Sequence, residues 1–235
     1  MSDPFFRLHH GLDREGPGSP EDGAWALEVA GVTGDAQVCD VASGPGADTE
    51  TLLALLPEAH VTAVDAHKPF VDEILGRIGV EPRLTAYAGD MLKLKGPFDL
   101  IWSAGAVYFV GIAAALTAWR PCLRAGGAVA FSEPCFFVDA PSEAARSYWE
   151  GYATQGEAEI LAAIAASDYE VLERRRLSDA AWAAYHGPMA ARIAVLRPGA
   201  DDALNRVLDE AEAEIDTWQE VKHETGYLLT VARPG

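Results

Sequence analysis

The chain has 235 residues, 49% of them apolar, which suits one α/β domain with an elaboration and supplies a full core. Its 18 basic and 36 acidic residues give a net charge of −18. A field of that sign repels phosphate backbones and disfavours duplex DNA or RNA, leaving a small neutral or cationic molecule as the easier ligand.

No run of about 18 apolar residues occurs, so no membrane span is expected. The start, Met1 to Arg7, lacks the basic segment and apolar stretch of a secretory signal, and a cytoplasmic protein is expected. Cys39, Cys122 and Cys135 offer neither a disulfide framework nor zinc-ligand spacing, so no metal site is expected and the thiols read as small apolar filler.

In chain order, the turn-rich Gly16-Pro17-Gly18-Ser19-Pro20 leads into a helix around Ala24 to Ala30. Strands are then expected at Gln37 to Val41, His60 to Val64, Arg83 to Ala88, Phe98 to Ser103 and Ala128 to Ser132. Between them, Thr49 to Leu56 (behind Asp48 as a possible cap), Pro69 to Ile78 and Ile112 to Leu123 read as helices. This alternation implies βαβ units and a parallel sheet covered on both faces.

The last hundred residues change character. Helices are expected at Ser142 to Tyr152 and Glu157 to Ala166, then a strand near Tyr169 to Arg175. Ser178 caps a further helix that Gly187-Pro188 should break, starting the next. Trp182, Tyr185, Met189, Ile193 and Leu196 recur at helical spacing. A second stripe runs from Leu204 to Trp218, with Asp209, Glu210, Glu212 and Glu214 largely on its other side. Tyr148, Trp149, Trp182 and Tyr185 read as core packing, with an aromatic wall for a cation as the alternative. Gly226 to Ala232 closes the chain as a last strand.

Ligands of open parallel sheets sit beyond the carboxyl ends of the strands. Here those ends present Ala42 to Gly46, Asp65, Gly89-Asp90-Met91, Trp102 to Gly105, and Glu133-Pro134. The first is a strand, a glycine turn and a helix, where backbone can closely approach a nucleoside-containing cofactor. A dinucleotide fingerprint would need glycine where Thr49 stands, and Pro45 has no N–H to offer a pyrophosphate. Asp40 further suits a cationic or amino-acid-bearing ligand, so a nicotinamide or flavin oxidoreductase falls behind.

The run Asp40-Val-Ala-Ser-Gly-Pro-Gly46 resembles the acidic-x-Gly-x-Gly-x-Gly signature of class I S-adenosylmethionine-dependent methyltransferases. The resemblance continues through Asp65, Gly89-Asp90, Phe98 to Ser103 and Arg124 to Glu133, covering residues 37 to 135. Gly16 to Ser19, Trp102 to Tyr108 and Gly226-Tyr227 are similar to a narrower bacterial group acting on small molecules. One departure is that Ala42 stands where the family has its first glycine, which narrows the approach to the cofactor's methionine part.

The resemblance implies a Rossmann-like, mostly parallel seven-stranded sheet with an antiparallel last strand and a helical lid insertion. It implies a single domain, with core 24–133, 168–176 and 222–235, and lid about 134–167 and 177–221. Asp65 would then bind the ribose hydroxyls of S-adenosylmethionine, and Asp90 the adenine amino group with Met91 against the ring. Gly44 and Gly46 would admit the methionine portion, Gly18 and Ser19 would close over its tail, and Ala42, Ala66 and Ser103 would lie alongside. Asp40 would fix the loop from behind by accepting backbone amides. Tyr108, Glu133 and His186 are the candidates at the reacting end.

Methyl transfer to a small-molecule acceptor, with S-adenosylhomocysteine as product, is the expected activity of a monomer or homodimer with neither nucleic acid nor membrane as partner. The rival is a non-catalytic cofactor-binding regulatory or scaffold protein, which an occluded acceptor pocket would favour.

Overall fold

The structure is a computed structural model describing residues 3–235; Met1 and Ser2, part of the stretch read against a secretory signal, lie outside the described residues. Its strands are β1 (Gln37–Val41), β2 (His60–Asp65), β3 (Leu84–Ala88), β4 (Phe98–Ser103), β5 (Leu123–Phe136), β6 (Gln155–Gly156), β7 (Tyr169–Arg176) and β8 (Thr225–Pro234). Seven of these form one path in the order β3-β2-β1-β4-β5-β8-β7, and the two-residue β6 pairs with β5 off that path. The pairings from β3 to β5 are parallel, while β8 runs antiparallel to both β5 and β7. This is the expected Rossmann-like sheet with its antiparallel last strand.

The helices are α1 (Pro4–His9), α2 (Pro20–Ala30), α3 (Ala47–Leu55), α4 (Lys68–Ile78), α5 (Ile112–Trp119), α6 (Glu143–Tyr148), α7 (Glu157–Ala166), α8 (Asp179–Leu196) and α9 (Asp202–Val221). Strand alternation divides the core between the two faces of the sheet. Val38, Leu100, Trp102 and Ala130 pack with Leu27 of α2 and Leu52 of α3. Cys39, Val41, Ile101 and Phe131 pack on the other face with Trp119 of α5 and Ile160 and Ile164 of α7. The three cysteines are buried and free.

Several boundaries differ from the sequence reading. Helix α2 starts at Pro20, with Ser19 in the N-cap position. Helix α3 opens at Ala47 behind Gly46, so Asp48 lies in the first turn rather than at the cap. Strand β5 extends to Phe136 because β8 pairs with it continuously from Val129 to Phe136.

The expected break at Gly187-Pro188 is absent: α8 is continuous from Asp179 to Leu196. Pro188 forfeits one backbone hydrogen bond, but Tyr185, Met189 and Ile193 lie on one buried face against Leu8, Leu204 and Leu208. Burial on both sides of the proline outweighs its local cost of about 3 kcal/mol, since each such apolar side chain contributes about 1.5–3 kcal/mol. Helix α1 had no counterpart in the sequence reading; Asp3 caps it through the Phe5 amide, with Pro4 at its first turn.

Candidate active site

Strand order reverses at β1, which has β2 on one side and β4 on the other. The carboxyl ends of these strands open into a cavity of about 1200 Å³, walled also by α1, α6, α8 and α9. The crevice at such a reversal is where open α/β sheets bind their ligands.

At the glycine turn, Ala42, Ser43 and Gly44 line the cavity. Ala42 sits at φ 55° and Gly44 at φ 53°, both in the left-handed region. A side chain costs roughly 1–2 kcal/mol there, so Ala42 is strained where glycine would not be. Gly46 (φ 99°) stands off the cavity, and a Cβ on it would lie 2.6 Å from Ile74 Cγ1.

The end of β2 is tied to this turn. Asp65 accepts the Gly44 amide through Oδ2 at 2.9 Å and the His67 amide through Oδ1 at 2.7 Å. Its carboxylate is buried, and it lines the cavity together with Ala66. Asp90 and Met91 also line the wall. Asp90 accepts the Leu92 amide at 2.9 Å and pairs with Lys93 at 3.0 Å, which together hold its carboxyl below the usual range.

Behind the turn, Asp40 accepts the Thr49 hydroxyl at 2.5 Å. The expectation that it anchors the loop through backbone amides is corrected: its hydrogen-bond partner is a side chain on α3, because helix formation brings Thr49 over it. Burial first and the neighbouring Asp48 charge second raise the Asp40 carboxyl well above its ordinary range, against the lowering effect of the Thr49 hydrogen bond. Asp48 accepts from Arg14 at 3.0 Å and from the Trp102 indole at 3.1 Å. Among the described residues, Arg14 is the only arginine or lysine on the cavity wall.

The far end is aromatic. Tyr148, Trp149, Trp182 and Tyr185 all line the cavity, joined by Tyr108, Tyr152 and Tyr227. Tyr227 lies near-parallel to Tyr108, ring centroids 6.4 Å apart. Burial pushes the Tyr108 hydroxyl up to about 12. Glu214 acts at this end, and Glu210 also lines the cavity, a correction to their expected place on the outer side of the α9 stripe.

Six of the expected site residues lie off the cavity wall: Gly18, Ser19, Gly46, Ser103, Glu133 and His186. Ser19 instead donates to Asp22 at 2.8 Å, while Gly16 and Pro17 take the place in the wall expected for Gly18. Ser103 is fully buried within the sheet. Glu133 is buried without a partner for Oε1, and burial pushes its carboxyl up to about 8. His186 Nε2 lies 3.3 Å from Glu214 Oε1, so it reaches the cavity only through that carboxylate. Arg14, Glu15 and the α1 residues Phe5, Phe6 and His9 also line the cavity and were not singled out from the sequence. Asp3-Pro4, a cap followed by a helix-opening proline, was the available signal for α1.

Residues 38–127 match a family model described as a methyltransferase domain. No curated protein matches the sequence. A solved S-adenosylmethionine-dependent methyltransferase from Geobacter sulfurreducens, in complex with S-adenosyl-L-homocysteine, superposes with a TM-score of 0.85 at 19% identity, over 100% of this chain and 99% of that one. One from Thiobacillus denitrificans, in the same kind of complex, gives the same four values. The [4+2]-cyclase SpnF shares the fold with a TM-score of 0.77 at 16% identity, over 98% of this chain and 92% of its own. Likeness at such identities establishes architecture: the chain has the class I methyltransferase fold throughout, and within it residues 38–127 match the methyltransferase domain model.

Proposed function

We propose that the protein binds S-adenosylmethionine at the β1–β3 ends of the cavity and transfers its methyl group to a small molecule held at the aromatic end, releasing S-adenosylhomocysteine. The observation that carries this reading is the fixed Asp65 carboxylate beside the Cβ-free Gly44. Two oriented amides hold the carboxylate in place, leaving its remaining lone pairs for a pair of vicinal ribose hydroxyls. Asp90 and Met91 lie beyond it for the adenine edge and face, with Ala66 alongside. Arg14, paired with Asp48, stands near the turn where the carboxylate of the methionine tail would meet it. The two similar proteins crystallised with S-adenosyl-L-homocysteine support the choice of cofactor.

The bound cofactor would supply an electrophilic sulfonium methyl. The protein's task is to align a nucleophile with it and exclude water, which can account for much of the acceleration of a displacement. Helices α6, α8 and α9, in the region read as a lid, would enclose the acceptor. Tyr108 is the residue best placed to orient it. With its hydroxyl raised to about 12, it remains neutral near pH 7 and acts as a hydrogen-bonding group rather than a base. Glu133 and His186 would act only through other residues.

The continuation of the cavity past the cofactor end to Tyr148 and Trp182 supports catalysis over a purely binding role. The test is a screen of small amines, thiols, phenols and carboxylates for S-adenosylhomocysteine release. Release with any of them is expected. Cofactor binding without release by any would favour the regulatory or scaffold reading.

A further inference from the structure

The aromatic end has a chemistry of its own. Tyr148 meets Trp149 edge-on, with centroids 4.8 Å apart at 86°. Trp149 and Tyr227 lie 5.4 Å apart at 51°, and Tyr108 and Tyr152 4.9 Å apart at 78°. These rings pack on one another as one cluster, and Tyr108, Tyr148, Trp149 and Tyr152 border the cavity from it. Trp182 is stacked on Trp218 at 3.6 Å and near-parallel to Tyr227 at 5.6 Å, so it is engaged by rings of the cluster and serves as its backing.

Electrostatics point the same way. Glu214 acts at this end, Glu210 lines the same cavity, and the cavity's only arginine or lysine among the described residues, Arg14, is engaged by Asp48 beside the glycine turn. Glu214 faces His186 at 3.3 Å, and its charge is felt at Tyr108, Tyr148 and Tyr185. A wall of π-faces and carboxylates without a counter-cation attracts a cation and repels phosphate or carboxylate groups.

We infer that the methyl acceptor is a small cationic amine, its ammonium form held by the rings of Tyr148 and Trp149 under the field of Glu214. The inference rests on the methyltransferase reading and narrows its acceptor class. In transfer, the neutral amine nitrogen, having released its proton to solvent, gives its lone pair to the methyl carbon. The carbon–sulfur bond breaks with its pair passing to sulfur, and the positive charge moves from sulfur to nitrogen. The methylated ammonium is again a cation that the same wall stabilises.

The test is calorimetric titration of protein saturated with S-adenosylhomocysteine, using three probes of similar shape. These are choline, its neutral carbon isostere 3,3-dimethylbutan-1-ol, and the anion 3,3-dimethylbutanoate. Choline is expected to bind about tenfold more tightly than the neutral isostere, and the anion most weakly. Glu214→Gln and Tyr148→Leu should each weaken choline several-fold while leaving S-adenosylhomocysteine affinity unchanged, and Tyr148→Phe should preserve choline binding. Failure of choline to bind, or equal binding of the neutral isostere, overturns the amine assignment alone. Failure of S-adenosylhomocysteine to bind overturns the underlying methyltransferase reading.

Discussion

Asp65 and Gly44 are joined by a hydrogen bond of 2.9 Å from the turn amide to a buried carboxylate. The bond links the ends of β1 and β2, so one residue fixes the turn's shape and presents a charge to the cavity. Asp65→Ala should therefore weaken S-adenosylhomocysteine binding by about 1.5–3 kcal/mol, roughly 10- to 150-fold. Calorimetry on the variant checks this, with its melting curve recorded alongside; unchanged affinity would remove Asp65 from the site.

Ala42 carries a side chain at φ 55°. Replacing it by glycine removes roughly 1–2 kcal/mol of strain and adds roughly 0.5–1 kcal/mol of unfolded-chain entropy cost. Ala42→Gly should be more stable by about 0.5 kcal/mol or somewhat more in urea unfolding and should bind cofactor at least as tightly. A lower unfolding midpoint would contradict the strain.

The parallel half of the sheet was legible because each strand end carried a distinctive residue and the alternation with helices was regular. Asp65, Asp90 and the Ala42–Gly44 turn could be placed from that order alone. The aromatic end was legible only in part: Tyr108 was a candidate and Tyr148 and Trp182 an alternative aromatic wall, but that Glu214 joins them was not, since these residues come from separate elements. The residues of α9 show why: a stripe pattern identifies the buried face, but not that Glu210 and Glu214 on its polar flank border the cavity as well as solvent. Local rules also failed at Gly187-Pro188, where tertiary burial overrides the tendency to break. Glu133 was placed correctly on β5, yet strand periodicity did not reveal that it is buried off the cavity wall.

Gly187 lies within α8, and a Cβ there would meet nothing within 4 Å. Gly187→Ala should raise stability by about 0.5–1 kcal/mol in urea unfolding through helix propensity. A loss would show that the helix bends at this point in solution.

Glu133 is held protonated by burial up to about pH 8, whereas in the unfolded chain it ionises near its ordinary value of 4.5. The folded state therefore binds the extra proton between these values, and stability falls as pH rises through that window. Glu133→Gln should flatten this part of the stability–pH profile and gain on the order of a few kcal/mol by pH 8 relative to the parent. Urea unfolding at a series of pH values checks the slope; an unchanged slope would mean the carboxylate is solvated or paired.

The central claim is that the β1–β3 ends hold S-adenosylmethionine and its product, and calorimetric titration of the intact protein with S-adenosylhomocysteine tests it most directly. Saturable binding at one site per chain is predicted. The absence of binding at millimolar ligand would contradict the account.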